Sequence, residues 1–415
     1  MAKPSADSNS GLLQTFRSLA LLLVLRAANL GIGLISSLLI ATSLVAEDYG
    51  IFTYAMSFQT ILAFAGCAGM RSSSSRAVVR RPRRAGRMLT AYLVASSVLS
   101  LVSTSLLMLA MFVRGEQVSG LWAVFAFGLV AIASNLTVSH LFDALGLAWR
   151  GSVFNLVMDS LGLLALLGLM WSGGISLYAV LGVTVLRAVA VCVVTNFYFI
   201  RDVSSPEWPV RLTVIRHLVL KSLPLAAAGL IASAPLYLQA LLSRWCFGVE
   251  QTATVGWALQ FSATLLSVGV IVDRYMQPYV HSPEHEIRWV YSRWLMASLT
   301  TVVSAAAVGF LCVCILVQFA FAARYANANA MVAAYLLAAV VFHMGKASGE
   351  FLIRTGASQR LLLTVTAGLV CFALSYALSF AAGAQLFAGP IALGCTGAVL
   401  WLSNAAYVFR SRLSY

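Results

Sequence analysis

Four arginines in this sequence stand within or at the ends of long apolar segments, and they are its main candidates for chemistry. They are Arg26, Arg187, Arg244 and Arg274. A charged side chain near the centre of a bilayer is costly, so each such residue is a candidate for function. Arg244 and Arg274 lie close to segment ends, where a long side chain can instead reach interfacial water. Guanidinium groups bind anionic oxygens well, so the set predicts an anionic substrate.

Asp159 is the acidic residue expected to meet one of these arginines. The segments that hold Asp159 and Arg187 form a hairpin that turns near Gly173 and Gly174, which places both side chains at similar depth. Either they form a buried ion pair with no role in binding, or they face a wet cavity where an arriving anion releases Arg187 from Asp159.

Arg26 has no such partner in the next apolar segment, which offers only Cys67, Ala68 and Gly69 at matching depth. Its partner is then a phosphate of the substrate, a carboxylate of a distant helix, or a backbone carbonyl. We interpret Arg26 as the leading residue for binding the substrate.

Two groups of polar residues at helical spacing are candidates for proton coupling, because imidazole titrates near neutral pH. One is His140 with Asp143, and the other is His343 with Lys346 and Glu350. The alternative is that they are ordinary polar residues at the inner ends of membrane helices.

The apolar segments indicate a membrane protein. Apolar residues make up 61% of the 415 residues and charged residues only 10%, whereas a soluble domain carries about 25% charged residues. A helix needs about 20 apolar residues to cross the hydrocarbon layer, and twelve segments are long enough. The predicted fold class is therefore an all-α polytopic membrane protein of about twelve helices. Their approximate bounds are 19–45, 49–70, 88–113, 120–143, 151–171, 176–200, 223–246, 252–273, 289–317, 329–352, 360–381 and 387–409.

Neither a cofactor nor a metal site is predicted. The seven cysteines all lie within apolar segments without the spacing of metal ligands, so we interpret them as small packing residues. They are Cys67, Cys192, Cys246, Cys312, Cys314, Cys371 and Cys395.

The net charge of +14 follows membrane topology. Seven arginines lie in the predicted loop Arg71–Arg87, and most other lysines and arginines fall in every second loop. Cytoplasmic loops are enriched in these residues. We expect a multi-pass protein of the bacterial inner membrane with both termini cytoplasmic. The basic loop is expected to attract anionic membrane lipids and not nucleic acid.

The chain is predicted to form two pseudo-symmetric lobes of six spans around a central cavity, residues 1–205 and 223–415. Residues 206–222 between them are predicted to be a cytoplasmic linker that ends in an interfacial helix. Gly50 and Gly256, almost half the chain apart, each follow a short acidic turn and stand beside aromatic residues. This match indicates an internal duplication.

Four short motifs resemble the polysaccharide flippases of the multidrug, oligosaccharidyl-lipid and polysaccharide exporter (MOP) superfamily. They are Arg26–Gly31 in the first span, Glu47–Phe52 before the second, the turn at Gly256, and Arg274–Pro278 after the eighth. One departure is Ser243 before Arg244, where family members often carry an acidic residue. The resemblance therefore implies no cation-coupling carboxylate at this position of the chain.

The resemblance implies a transporter and not an enzyme. It would flip an undecaprenyl-diphosphate-linked oligosaccharide from the cytoplasmic to the outer leaflet by alternating access, for synthesis of O-antigen or exopolysaccharide. The implied partners are this lipid-linked oligosaccharide, a polysaccharide polymerase and chain-length proteins.

Two other functions stay open. An exporter of organic cations from the same superfamily needs an acidic cavity, whereas the charges away from the inner span ends are three arginines against Asp159 alone. A membrane-embedded polysaccharide polymerase or lipid-sugar transferase needs catalytic residues in a substantial loop, and the predicted outer loops are short.

Overall fold

Long apolar helices dominate the computed structural model, which describes residues 8–67, 69–80, 85–145, 147–281, 286–316, 328–354 and 357–410. Within these ranges, twelve helical segments are long and apolar enough to cross a membrane. The predicted all-α fold class of about twelve spans is confirmed. The helices are α1 Ser8–Ser43, α2 Ala46–Cys67, α3 Met70–Arg80, α4 Ala85–Val113, α5 Val118–Leu136, α6 Ser139–Ala144, α7 Ala148–Trp171, α8 Leu177–Asp202, α9 Leu212–Phe247, α10 Val249–His281, α11 Ile287–Leu316, α12 Ala328–Arg354, α13 Ser358–Ala381 and α14 Ala388–Arg410.

Tight turns join several consecutive helices. Gly173 follows α7 with a φ of 69°, and Gly248 separates α9 from α10 with a φ of 89°. This left-handed region suits glycine because other residues carry a Cβ that crowds the backbone. Ser176 caps α8 by accepting a hydrogen bond of 3.3 Å from the Ala179 amide. The hairpin predicted near Gly173 and Gly174 is confirmed.

The order of the helices defines two ends of the bundle. The turn between α4 and α5, which holds Glu116, lies with the turns after α1, α7 and α9 at what we call the Glu116 end. Helices α3 and α6 and the segment 203–211 lie at what we call the Arg71 end. The charge pattern predicts that the Arg71 end is cytoplasmic.

The predicted loop Arg71–Arg87 is wrong over most of its length, because Met70–Arg80 is helical and α4 begins at Ala85. The run of serines had suggested a loop. Ser74 instead is buried and donates a hydrogen bond of 2.8 Å to the Met70 carbonyl, so its hydroxyl is satisfied inside the helix. Helix α3 packs against α6 and α9.

Two further segments differ in local detail from the helices expected. The fourth span divides at Thr137, whose backbone is extended, so that α5 and α6 replace one helix over 120–143. The interfacial helix predicted in 206–222 is the first part of α9, which continues into the seventh span through Pro224 and Pro235. Membrane helices tolerate interior prolines because neighbouring groups satisfy the freed carbonyls.

Each half of the chain packs mainly with itself. Contacts between the halves are made chiefly by α2 with α9 and α10, by α3 and α4 with α9, and by α1 with α10. We call the contact of α2 with α9 and α10 the seam. The lobe boundaries at 205 and 223 stay a prediction.

The close approach of α14 to α12 depends on Gly397. A Cβ there would lie 2.5 Å from both the Phe342 amide nitrogen and its Cα. We expect Gly397→Ala to destabilise the protein by about 1–3 kcal/mol, because the backbone of α12 must shift. Gly394→Ala on the same helix is the control, since its Cβ would lie 3.9 Å from Ala338. The thermal midpoint of the purified protein in detergent checks this, and equal midpoints for both variants would contradict it.

Candidate functional site

The seam is tight at the Glu116 end. A Cβ on Gly50 would lie 2.2 Å from the Val249 carbonyl oxygen, and a Cβ on Gly256 would lie 2.2 Å from Thr53 Cγ2. Both glycines of the suspected duplication therefore permit the same approach of α2 to α10. The superposition of the two halves stays a prediction.

An ion pair joins the two halves beside this contact. Glu116 precedes α5, Arg244 lies in the last turn of α9, and their side chains are only 9% and 12% exposed. The Arg244 guanidinium lies 4.3 Å from the ring centre of Tyr54 on α2. The Tyr54 hydroxyl donates to Glu116 at 3.4 Å. We call Tyr54, Glu116 and Arg244 the latch.

A polar cavity of about 460 Å³ lies between α1, α6 and α7 of the first half and α10 of the second, towards the Arg71 end. We call it the Arg26 cavity. One basic side chain and two carboxylates line it together with amides and hydroxyls. The lining residues are Arg26, Asn29, Leu30, Ser139, Asp143, Gly151, Ser152, Asn155, Asp159, Ser267 and Val270.

Asp159 and Arg187 form the predicted ion pair, with Asp159 Oδ1 3.2 Å from Arg187 Nη1. Their side chains are 22% and 36% exposed, and Asp159 also lines the Arg26 cavity. Arg26 and Asp159 are thus brought together in one cavity, and Arg187 contacts Asp159 without being a lining residue of that cavity.

The similarity to known proteins lies in the fold. No protein-family model matches the sequence, and no curated protein matches it. The lipid II flippase MurJ in an inward closed conformation gives a TM-score of 0.70 at 11% identity, over 94% of this chain and 87% of that one. An inward-facing multidrug resistance MATE family transporter of the MOP superfamily gives 0.66 at 13% identity, over 92% and 98% of the two chains. This chain has the fold of the MOP superfamily.

The resemblance found in the sequence motifs is therefore confirmed at the level of the MOP fold. An outward-facing MATE family transporter of the superfamily gives a lower TM-score of 0.56 at 12% identity, over 94% of this chain and 95% of that one. The chain is thus more similar to the inward-facing structure than to the outward-facing one. The closed latch at the Glu116 end and the Arg26 cavity towards the Arg71 end are consistent with this greater similarity to the inward-facing structure.

The structure shows which helices surround Arg26. Helix α1 packs against α7 and α10 and touches α2 only lightly. Among the partners left open for Arg26, a carboxylate of a distant helix is available, because Asp143 and Asp159 line the same cavity as Arg26. The sequence had compared Arg26 with its neighbour along the chain, whereas its neighbours in space come from α6 and α7.

Arg244 has surroundings that the sequence did not predict, and a substrate contact in another conformation stays a prediction. We had expected either a substrate contact or a side chain that reaches interfacial water. In the MOP fold the Arg244 side chain is nearly buried between Glu116 and Tyr54. In this conformation the guanidinium of Arg244 is paired with the carboxylate of Glu116.

The His343 group differs from the predicted relay. His343 is 3% exposed, and its Nε2 lies 3.7 Å from Asp273 Oδ1 on α10. The Trp294 indole donates a hydrogen bond of 2.8 Å to that carboxylate. Asp273, which the sequence analysis missed, is therefore the carboxylate beside His343. Lys346 lines a separate cavity.

The other predicted relay, His140 with Asp143, is divided. His140 Nε2 lies 3.1 Å from the Ser74 hydroxyl, and its ring lies against Tyr92 with centres 4.6 Å apart and planes tilted by 57°. Asp143 instead lines the Arg26 cavity. His140 is thus a packed residue of the Arg71 end.

The side chains of Arg274 and Glu350 lie outside the described part of the structure, so the roles predicted for them stay predictions. Across the described residues, no three histidine, cysteine or acidic side chains are grouped in a way that could hold a metal ion.

Proposed function

We propose that this chain is a membrane transporter that flips an undecaprenyl-diphosphate-linked oligosaccharide towards the outer leaflet for surface polysaccharide synthesis. The supporting observation is a polar cavity that is lined by Arg26 and lies between the two halves of a MOP fold. An arginine within the membrane is costly unless it pairs or faces a polar site. The partners proposed with this function are a polysaccharide polymerase and chain-length proteins of the bacterial inner membrane.

Transport in this proposal follows from two alternative contacts between the halves. The latch holds the Glu116 end closed while the Arg26 cavity accepts substrate at the Arg71 end. Substrate phosphate meets Arg26 and draws Arg187 away from Asp159, which changes the contact of α1 and α7 with α10. The cavity then closes as the latch opens, and the substrate leaves at the Glu116 end. This is alternating access about the seam.

A second candidate function, export of organic cations, is supported by Asp143 and Asp159. These two carboxylates line the Arg26 cavity, and they could attract a cation if Arg26 and Arg187 turned away.

A cell test separates the two functions. Cells that lack their own polysaccharide flippase should regain surface polysaccharide on expressing this chain, without lower ethidium accumulation. Ethidium efflux without restored polysaccharide would favour the cation exporter.

The proposed direction requires the Arg71 end to be cytoplasmic. In a background without the seven native cysteines, Gln117→Cys at the Glu116 end should react with a membrane-impermeant maleimide in intact cells. Ser205→Cys at the Arg71 end should react only after permeabilisation. Both side chains are exposed, so a difference in their reaction with maleimide reports the side of the membrane and not burial. Equal reaction of both in intact cells would contradict the topology.

A further inference from the structure

A groove of about 920 Å³ lies between α13 and α14 in the second half of the chain. We call it the α13/α14 groove. Helix α13 begins and α14 ends at the Arg71 end, and the lining includes Gln359 in the first turn of α13 and Tyr407 in the last turn of α14. Its mouth therefore lies where the membrane meets water at that end. The groove shares no lining residue with the Arg26 cavity.

The close packing of α13 on α14 ends where the groove begins. A Cβ on Gly368 would lie 3.0 Å from Leu400 Cδ2, so the two helices approach closely at that level. Towards the Arg71 end the lining side chains are small, with Ala367 on α13 and Ala406 on α14, and they leave space between the helices. Leu363 in the same lining is 69% exposed. The groove therefore opens on the outer surface of the bundle, which faces lipid, and has an apolar wall.

Arg360 places a guanidinium across the mouth of the groove. Its side chain extends from α13 to α14, where Cζ lies 4.5 Å from the centre of the Tyr407 ring. A guanidinium that stacks on an aromatic face keeps the N–H groups at its edge directed outwards, where they can bind an anion. Gln359 adds an amide and Ser403 a hydroxyl to the same lining, which has no acidic residue in its described part. The polar end of the groove is thus cationic and rich in neutral hydrogen-bonding groups.

A cationic mouth above an apolar wall suits an anionic phospholipid. Arginine binds phosphate oxygens through paired N–H groups, and basic pockets between membrane helices bind anionic head groups. The one cation of the described lining, Arg360, matches a single phosphate, and the amide and hydroxyls match the hydroxyls of a glycerol head group. The ammonium of phosphatidylethanolamine would instead meet Arg360 with no carboxylate in the described lining to pair with it. The groove therefore favours phosphatidylglycerol.

We propose that the α13/α14 groove binds one phosphatidylglycerol molecule, with its phosphate on Arg360 and an acyl chain against Leu363 and Ala367. The lipid then contacts both helices at the end where their own packing is open. It holds the Arg71 ends of α13 and α14 together and stabilises the second half of the protein. Such a discrete site differs from the general attraction of anionic lipids expected of the basic segment 71–87, and it does not depend on which substrate the protein transports.

Lipid binding to the delipidated full-length protein in detergent, measured by native mass spectrometry, tests the site. The probes are phosphatidylglycerol, phosphatidylethanolamine, cardiolipin and glycerol 3-phosphate. Wild-type protein should bind phosphatidylglycerol about tenfold more tightly than phosphatidylethanolamine, and Arg360→Gln should remove that difference, the loss of one charge-assisted contact. Arg293→Gln is the matched control and should leave binding unchanged. Arg293 is also an exposed arginine of the Arg71 end, 4.0 Å from the Trp289 ring centre, but it lies outside the groove.

A second variant fills the groove and keeps its charge. Ala406→Phe should weaken binding of phosphatidylglycerol, whereas Leu374→Phe, at a 58% exposed position of α13 outside the groove, should not.

Four results would overturn the site. They are equal affinity of wild-type protein for phosphatidylglycerol and phosphatidylethanolamine, unchanged binding in Arg360→Gln, unchanged binding in Ala406→Phe, and an equal loss in Arg293→Gln. Glycerol 3-phosphate should bind far more weakly than the lipid, because it cannot use the apolar wall. Equal affinity for it would assign the groove to a soluble anion, and tighter binding of cardiolipin would assign it to a lipid with two phosphates. Either result contradicts the proposal.

Discussion

Glu116→Gln is expected to abolish transport and to open the Glu116 end. The substitution leaves Arg244 nearly buried beside Tyr54 without its carboxylate. Breaking a buried ion pair in this way costs about 3–5 kcal/mol. That cost falls on the closed state, so the population with an open Glu116 end should rise by roughly a hundredfold or more. The reaction rate of Thr53→Cys, at a seam position only 2% exposed, with a polar thiol reagent measures the opening.

Two variants make this prediction specific to the latch. Arg114→Gln removes the neighbouring arginine, which stacks 4.5 Å from the Trp245 ring at an exposed position. It should change the reaction rate little, because an exposed contact of this kind contributes about 0.5–1 kcal/mol. Exchanging the charges, Glu116→Arg with Arg244→Glu, should restore slow reaction in part. A slow rate in Glu116→Gln alone would show that the latch does not hold this end closed.

Arg26→Ala is expected to remove transport while the protein stays in the membrane. Arg26 is the basic residue in the lining of its cavity, and without it the lining keeps two carboxylates that repel an anion. Arg26→Lys should restore transport only in part, because an ammonium lacks the planar fork that binds two phosphate oxygens. Arg201→Gln, an exposed arginine at the end of α8, is the control and should transport normally.

Surface polysaccharide and the amount of protein in the membrane must be measured together for the Arg26 variants. Normal export by Arg26→Ala would exclude Arg26 from the site. Loss of the protein itself would assign Arg26 a structural role in holding α1 against α7.

The membrane fold could be predicted from sequence because a bilayer imposes a length on every span. Apolar runs and basic loops gave the number and order of the spans without any knowledge of their neighbours. The pair Asp159 and Arg187 was predictable for the same reason. The hairpin turn near Gly173 places Asp159 and Arg187 at similar depth in the membrane, so their contact could be predicted from their spacing on either side of this turn.

Contacts between distant segments could not be predicted in this way. Glu116 and Arg244 lie in different halves, and their contact depends on how α4 and α9 are placed across the seam. The same holds for Asp273 beside His343. Glu116 and Asp273 each lie near the end of a span. From the sequence alone, the simplest interpretation of such an acidic residue is that it is exposed to water in a loop.

The charge balance used against a cation exporter changes once these contacts are known. Of the three arginines counted within the spans, Arg187 pairs with Asp159 and Arg244 pairs with Glu116. The Arg26 cavity itself holds two carboxylates. The stronger support for an anionic substrate is now a second cavity at the Arg71 end, which is lined by Arg71 and Lys346 and has no acidic residue in its described lining. The sequence had assigned Arg71 to topology and Lys346 to proton coupling.

Flipping of a defined substrate by the purified protein decides whether this chain is a lipid-linked oligosaccharide transporter. The full-length protein is reconstituted into vesicles that contain a fluorescent undecaprenyl-diphosphate-linked oligosaccharide, and a membrane-impermeant reagent quenches the label exposed outside. We predict that wild-type protein makes the inner-leaflet pool accessible to the quencher over time, and that Arg26→Ala and Glu116→Gln do not. If wild-type vesicles keep the inner pool protected, as vesicles without protein do, the proposed function is contradicted.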